Sequence, residues 1–101
     1  HKLLGDFDAS RVQYQTALKI YQRTVGADHA SYASILHNLG NLNRSQIHFD
    51  ASLRATDRLS LVEAALEYLE EAYRLRRDEM GDEHRHTVAT RSSLGTTRAA
   101  H

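Results

Sequence analysis

No proline interrupts the 101-residue chain and only five glycines punctuate it, so little in the sequence stops a helix once it has begun. The space is filled by Ala, Leu, Arg and Glu, which lose least conformational freedom on entering a helix, and the expected fold class is all-α. Cysteine is also missing, which excludes a disulfide framework and a thiolate metal site and fits an intracellular, cytoplasmic setting. Neither sign of charge is in excess: thirteen basic residues balance thirteen acidic ones, so no net field draws the chain to nucleic acid or to an anionic membrane. No apolar run approaches the length of a membrane span, and no charged-then-apolar leader opens the chain. The chain opens at His1 in mid-pattern, as expected of a piece of a longer protein, which leaves the parent protein's leader open.

What is present is a repeat. Ala17, Ile20, Gly26, Asp28, His29, Leu39 and Gly40 recur 55 residues on as Ala72, Leu75, Gly81, Glu83, His84, Leu94 and Gly95. A second match, Phe7-Asp8-Ala9-Ser10 with Phe49-Asp50-Ala51-Ser52, has a period of 42. The difference reads as a 42-residue unit carrying about 13 extra residues between Ser52 and Ala65. The units are then 1–45 and 61–101, with 46–60 as insertion and linker inside a single domain.

Within the units the apolar spacing is helical. Leu59, Val62, Leu66, Leu69 and Tyr73 step by three and four along one face. Ser60 and Glu63 form a capping-box pattern that starts a helix near Leu61, and Gly81 ends it at Met80. Gly26 likewise closes a helix over about 7–25, and Asp28 offers an N-cap to one over 30–45. The last helix is expected over 86–99. Ala17 and Ala72 are placed at helix crossings where a larger side chain would hold the axes apart, with Gly40 and Gly95 serving the same close approach from the opposite helix. Tyr14, Tyr21, Tyr68 and Tyr73 fall in helical register for core or inter-repeat packing.

Three segments carry a family resemblance. Gly5-Asp6-Phe7 with Tyr14 and Ala17-Leu18-Lys19-Ile20, the paired linkers Gly26-Ala27-Asp28-His29 and Gly81-Asp82-Glu83-His84, and Leu36-His37-Asn38-Leu39-Gly40 resemble tetratricopeptide repeats, specifically the 42-residue variety of the kinesin light chains. The resemblance covers nearly the whole chain except about 53–60. It implies an antiparallel helix-pair solenoid of about two repeats. Departures are visible: the family's linker proline is Ala30 in one copy and Arg85 in the other, an expected leucine is Arg91, and an expected aromatic is Asn43.

The resemblance also implies a function. In this family the first helix of each unit lines a concave groove that receives an extended peptide. Carried over by position, the groove residues are Ser34, His37, Asn38, Asn41 and Arg44 from one unit and Ala89, Ser92, Ser93 and Thr96 from the next. Asn38 is the leading contact, since an amide donates to and accepts from a peptide bond at once. The implied partner is a protein or peptide, with no nucleic acid, membrane or cofactor involved. The alternatives are a structural subunit within a larger complex and a regulatory appendage of an enzyme lying outside this stretch. No serine, histidine and acid fall at catalytic spacing, so no catalytic residue is assigned. Seven histidines raise a metal site at His84 and His86, beside Asp82 and Glu83, but two ligands two residues apart on a helix do not share a face. Arg74, Arg76 and Arg77, interleaved with acids, read as a solvated face.

Overall fold

A computed structural model describes residues 2–23 and 29–100. The described residues form four helices: α1 (Lys2–Arg23), α2 (His29–Phe49), α3 (Ala55–Met80) and α4 (Arg85–Ala100). Cross-helix partners fix their directions. Arg11 reaches Asn43 while Gln22 reaches Tyr32, so α1 and α2 run antiparallel. Arg58 meets Ile47 while Arg76 meets Ser34, which makes α3 antiparallel to α2. Arg76 to Thr90 and Glu70 to Arg98 do the same for α4 on α3. Each helix packs on its sequence neighbours, and α2 also touches α4 along a narrow parallel seam. This is the all-α helix-pair stack that the repeat implied.

The helix ends follow local chemistry. Gly81, at φ 88°, closes α3 by donating its N–H to the Arg77 carbonyl at 2.9 Å, and that left-handed backbone is one a side chain would resist. The start of α3 differs from the capping box expected at Ser60. The helix begins two turns earlier, with the Asp57 carboxylate accepting the Arg54 N–H at 3.1 Å, and Ser60 is an exposed interior residue. The carboxylate also meets the positive end of the helix dipole. At the other end of the turn α2 runs on past Ser45 to Phe49, and Asp50 stops it. Its carboxylate accepts from the Ser52 N–H and hydroxyl, and the Gln46 amide donates to it. The stretch 46–60, expected as insertion and linker, is therefore divided between the end of α2, a short turn and the beginning of α3. The 42-residue match of Phe7–Ser10 to Phe49–Ser52 is not a structural one, because Phe7 is buried inside α1 whereas Phe49 is exposed where α2 ends. Val25, Gly26 and Asp28, expected to end α1 and begin α2, lie outside the described residues.

Leu18, Leu36, Leu39 and Ala72 form the core, with Tyr14, Tyr32, Ile35, Tyr68 and Leu75 packed against it. The fully hidden stripe of α3 is Val62, Ala65, Leu69, Ala72 and Arg76. It shares Val62 and Leu69 with the stripe expected from the larger residues but takes Ala65 and Ala72 in place of Leu66 and Tyr73, and Leu59 is about half exposed. Two other expectations change. Gly95 has nothing within 4 Å of where a Cβ would stand, so unlike Gly40 it serves no close approach, and Ala17 is only half-buried. Tyr14 and Tyr68 pack as expected, while Tyr73 hydrogen-bonds to Asp82 at 3.4 Å and stacks under Arg77.

Asn43 stands where the resemblance expected an aromatic, and a polar tie replaces the ring. It is 2% exposed, accepts from Arg11 Nη2 at 3.1 Å and donates to the Leu61 carbonyl at 3.4 Å. Arg11 also donates to Gln46 and Asp8, so one side chain of α1 is satisfied through α2 into α3.

Candidate functional site

Steps of three and four place Ser34, His37, Asn41 and Arg44 on one face of α2, the face that α4 approaches. Arg76 enters the same seam from α3. Its Nη1 donates to Thr90 Oγ1 at 2.6 Å and to the His86 carbonyl at 3.2 Å, and its Nη2 donates to Ser34 Oγ at 3.1 Å. Expected on a solvated face, Arg76 is instead buried, because it lies four residues after Ala72 on the hidden stripe.

The network fixes the protonation of His37. Thr90 uses its hydroxyl hydrogen on the His86 carbonyl at 3.0 Å, so at the 3.0 Å contact with His37 Nδ1 the imidazole is the donor. Nε2 then accepts from the Asn41 amide at 2.8 Å, while Asn41 Oδ1 accepts from Arg44 at 3.0 Å. A second proton on the ring would face the Asn41 NH₂ head on. Burial, first, and then the charges of Arg76, Arg44 and His86 hold the His37 pKa below its ordinary value of 6.5. The same kinds of cause, burial first and then Arg76, Arg85 and His84, lower that of His86.

A pH dependence follows. A histidine whose folded pKa is depressed binds fewer protons folded than unfolded, so its contribution is complete above 6.5 and is lost as pH falls from there towards the folded value. The urea midpoint is expected to drop between pH 7.5 and about 5, and to drop less in His37→Gln. Identical pH profiles for the two proteins would show that His37 is not held neutral. Asp50 acts at lower pH. The Ser52 hydroxyl, the largest cause, with Gln46, the Ser52 amide and Arg58, holds its pKa below 3.8 against the opposing effect of burial, so its contribution persists at neutral pH and fades only under acid.

The other expected groove residues divide. Asn38 is exposed, beside the seam rather than in it. On α4, Ala89, Ser92 and Thr96 are exposed, with Thr96 Oγ1 donating to the Ser92 carbonyl, while Ser93 is half-buried and its carbonyl accepts from Thr97. Asn41, Arg44 and Thr96 nonetheless come together, lining a cleft of about 650 Å³ with Phe49, Arg58 and Val62. Thr90 and Thr97 were missed. Their signal was spacing: Thr87, Thr90, Leu94 and Thr97 step by three and four, the buried stripe of α4 written in threonine.

His84, directly before α4, accepts the His86 N–H on Nδ1 at 3.2 Å and so caps the helix, and the two rings stack with centroids 5.2 Å apart. Among the described residues no three His, Asp or Glu side chains gather as a metal site, and no helix is long and apolar enough to cross a membrane.

The helix pairs, the small residue of α2 set against α3 and the shared seam agree with the family comparison, in which the tetratricopeptide repeat model matches residues 1–56. The chain belongs to the tetratricopeptide repeat family. No curated protein and no solved structure matches it. Repeats of this family generally mediate protein–protein contact, and family members are typically scaffolds without catalytic activity.

Proposed function

We propose that this tetratricopeptide repeat chain receives an extended segment of a partner protein along the face shared by α2 and α4. The observation carrying the reading is that Asn41 and Arg44 from one repeat and Thr96 from the next line a single open cleft. Polar side chains there serve a peptide backbone, and Phe49 and Val62 offer an apolar wall to one of its side chains. Asn38, exposed at the margin, is free to meet the same backbone. The kinesin-light-chain variety is the finer family reading, supported by Leu36–Gly40 and by the linker Gly81–His84. An intracellular setting accompanies it.

Asn38→Ala is expected to weaken an identified partner by about 0.5–1.5 kcal/mol, the net worth of one hydrogen bond, with helicity unchanged. Asn41→Ala should lose more, since its amide also orients His37 and Arg44. Glu67→Ala, on an exposed position of α3, serves as control. Calorimetric titration measures all three. If both asparagine variants bind like the parent, the chain is better read as a structural subunit buried in an assembly, a reading favoured by the exposed Val12 of α1.

A further inference from the structure

A side-chain amide carries its donor and its acceptor on one rigid plane, so it links two neighbours only when one of them accepts and the other donates. Asn41 stands between such a pair. Its NH₂ donates to His37 Nε2 at 2.8 Å, and its Oδ1 accepts from Arg44 Nη1 at 3.0 Å. The far side of the ring is already fixed. Thr90 Oγ1 gives its hydrogen to the His86 carbonyl and accepts from Arg76 Nη1, which leaves one lone pair for the His37 Nδ1–H. That arrangement serves a ring with one proton. Arg44 is a donor at every ordinary pH, so only the ring can change its role.

A second proton makes Nε2 a donor as well. It then confronts the Asn41 NH₂ across 2.8 Å, and rotation of the amide about Cβ–Cγ, which brings Oδ1 round to the ring, is the small movement that restores a hydrogen bond. The cost falls on Arg44, whose Nη1 then faces an NH₂. Arg44 makes no other hydrogen bond or ion pair among the described residues, so nothing else holds its guanidinium in place. Asn41 and Arg44 both line the cleft of about 650 Å³. The Nδ1–H keeps its bond to Thr90 in either state, so the change is confined to the cleft side and leaves α4 docked. The charges that act on the ring are Arg44 from α2 itself, Arg76 from α3 and His86 from α4; all are cationic, and α1 adds none. With no acid to hold the second proton, the ring takes it up only on the acid side of 6.5.

We propose that His37, Asn41 and Arg44 form a proton-operated switch, in which protonation of the ring turns the Asn41 amide over and frees Arg44 in the cleft between α2 and α4. The inference rests on the reading of that cleft as a partner-binding groove, and it adds the groove's regulation: a segment whose backbone fits the oxygen and NH₂ of Asn41 in one order meets them exchanged in the other. His37 itself is not among the residues that line the cleft, so the switch works without contact between the ring and the partner.

The test is an NMR titration of the free chain from about pH 7.5 to about 5, with circular dichroism confirming that it stays folded. The Asn41 side-chain NH₂ and the Arg44 Cζ resonances are expected to move with the midpoint of the His37 ring, while the Thr90 amide keeps its protection from exchange. His37→Gln should silence both resonances although His86 still titrates. Asn41→Asp separates the switch from a simple charge effect and decides the matter if the glutamine variant does not fold. A carboxylate accepts from His37 and Arg44 at once, so the His37 midpoint should rise above 6.5 and the Arg44 response should vanish. The proposal is overturned if Asn41 and Arg44 do not move with the ring, if they move equally in His37→Gln, or if Arg44 responds as before in Asn41→Asp. Because the titration contains no partner, its failure would leave the reading built on the groove standing, and a groove without a partner would leave the switch standing.

Discussion

Leu69→Ala is expected to lower the unfolding free energy by about 2–5 kcal/mol, the range for removing a fully enclosed leucine when the surroundings collapse only in part. Leu69 is wholly buried in α3 and presses against the backbone of α2, its Cγ standing 2.5 Å from where a Cβ on Gly40 would be. No smaller side chain fills that volume, and the helices on either side cannot close on it without separating Leu39 and Ala72 from their neighbours. For a chain of this size total stability is on the order of 5–15 kcal/mol, so the variant should lie close to its unfolding midpoint in water. Urea denaturation followed by circular dichroism measures this. Leu59→Ala, at an exposed position of the same helix, should shift the midpoint little. Similar losses for both would mean that the buried face of α3 is not the one described.

Gly40→Ala and Gly95→Ala are expected to act in opposite directions. An alanine gains up to about 1 kcal/mol over glycine inside a helix. At Gly95, where nothing lies within 4 Å, that gain is realised in full. At Gly40 the new methyl would meet Leu69 Cγ at 2.5 Å and Cδ2 at 2.8 Å, and Cγ is too close to the α3 backbone to swing away. Overpacking of this kind costs about 1–3 kcal/mol, which outweighs the propensity gain. The double change Gly40→Ala with Leu69→Ala should then cost less than the sum of the two, by a coupling of about 0.5–3 kcal/mol. Strict additivity would show that the two residues do not touch.

The same pair shows what was readable in the chain. Gly40 and Gly95 are equivalent by repeat position, and sequence assigns both to a helix crossing, but only the structure shows that Gly95 is exposed beside the buried Leu94, with no neighbour where a Cβ would stand. Helix existence was plain from composition and the three-four spacing, and the end of α3 was marked by Gly81. Its beginning was not. Ser60 and Glu63 imitate a capping box, whereas the actual start depends on Asp57 reaching back to the Arg54 amide, a pattern without the usual serine or threonine. In the site, Ser34, His37, Asn41 and Arg44 were carried over by position from the family resemblance, and the structure sets them along one face of α2. Arg76 was missed because two small alanines precede it on the hidden stripe and acids flank it in sequence, so charge spoke louder than phase. Thr90 was missed because its partners, Arg76 and His37, come from two other helices.

The nearest-neighbour packing of the helices has a consequence for how the chain opens. Because contacts join mostly adjacent segments, little loop-closure entropy opposes assembly, and folding should be fast for a chain of this length. Local opening should also be graded. The central pair, α2 and α3, is covered on both sides and should hold its amide protons longest, whereas α1 and α4 each rest on fewer partners and should exchange sooner. The polar seam modifies that order on one side: His37 and Arg76 fasten the first turns of α4 to both inner helices, so protection along α4 should decay from its amino end towards Ala99.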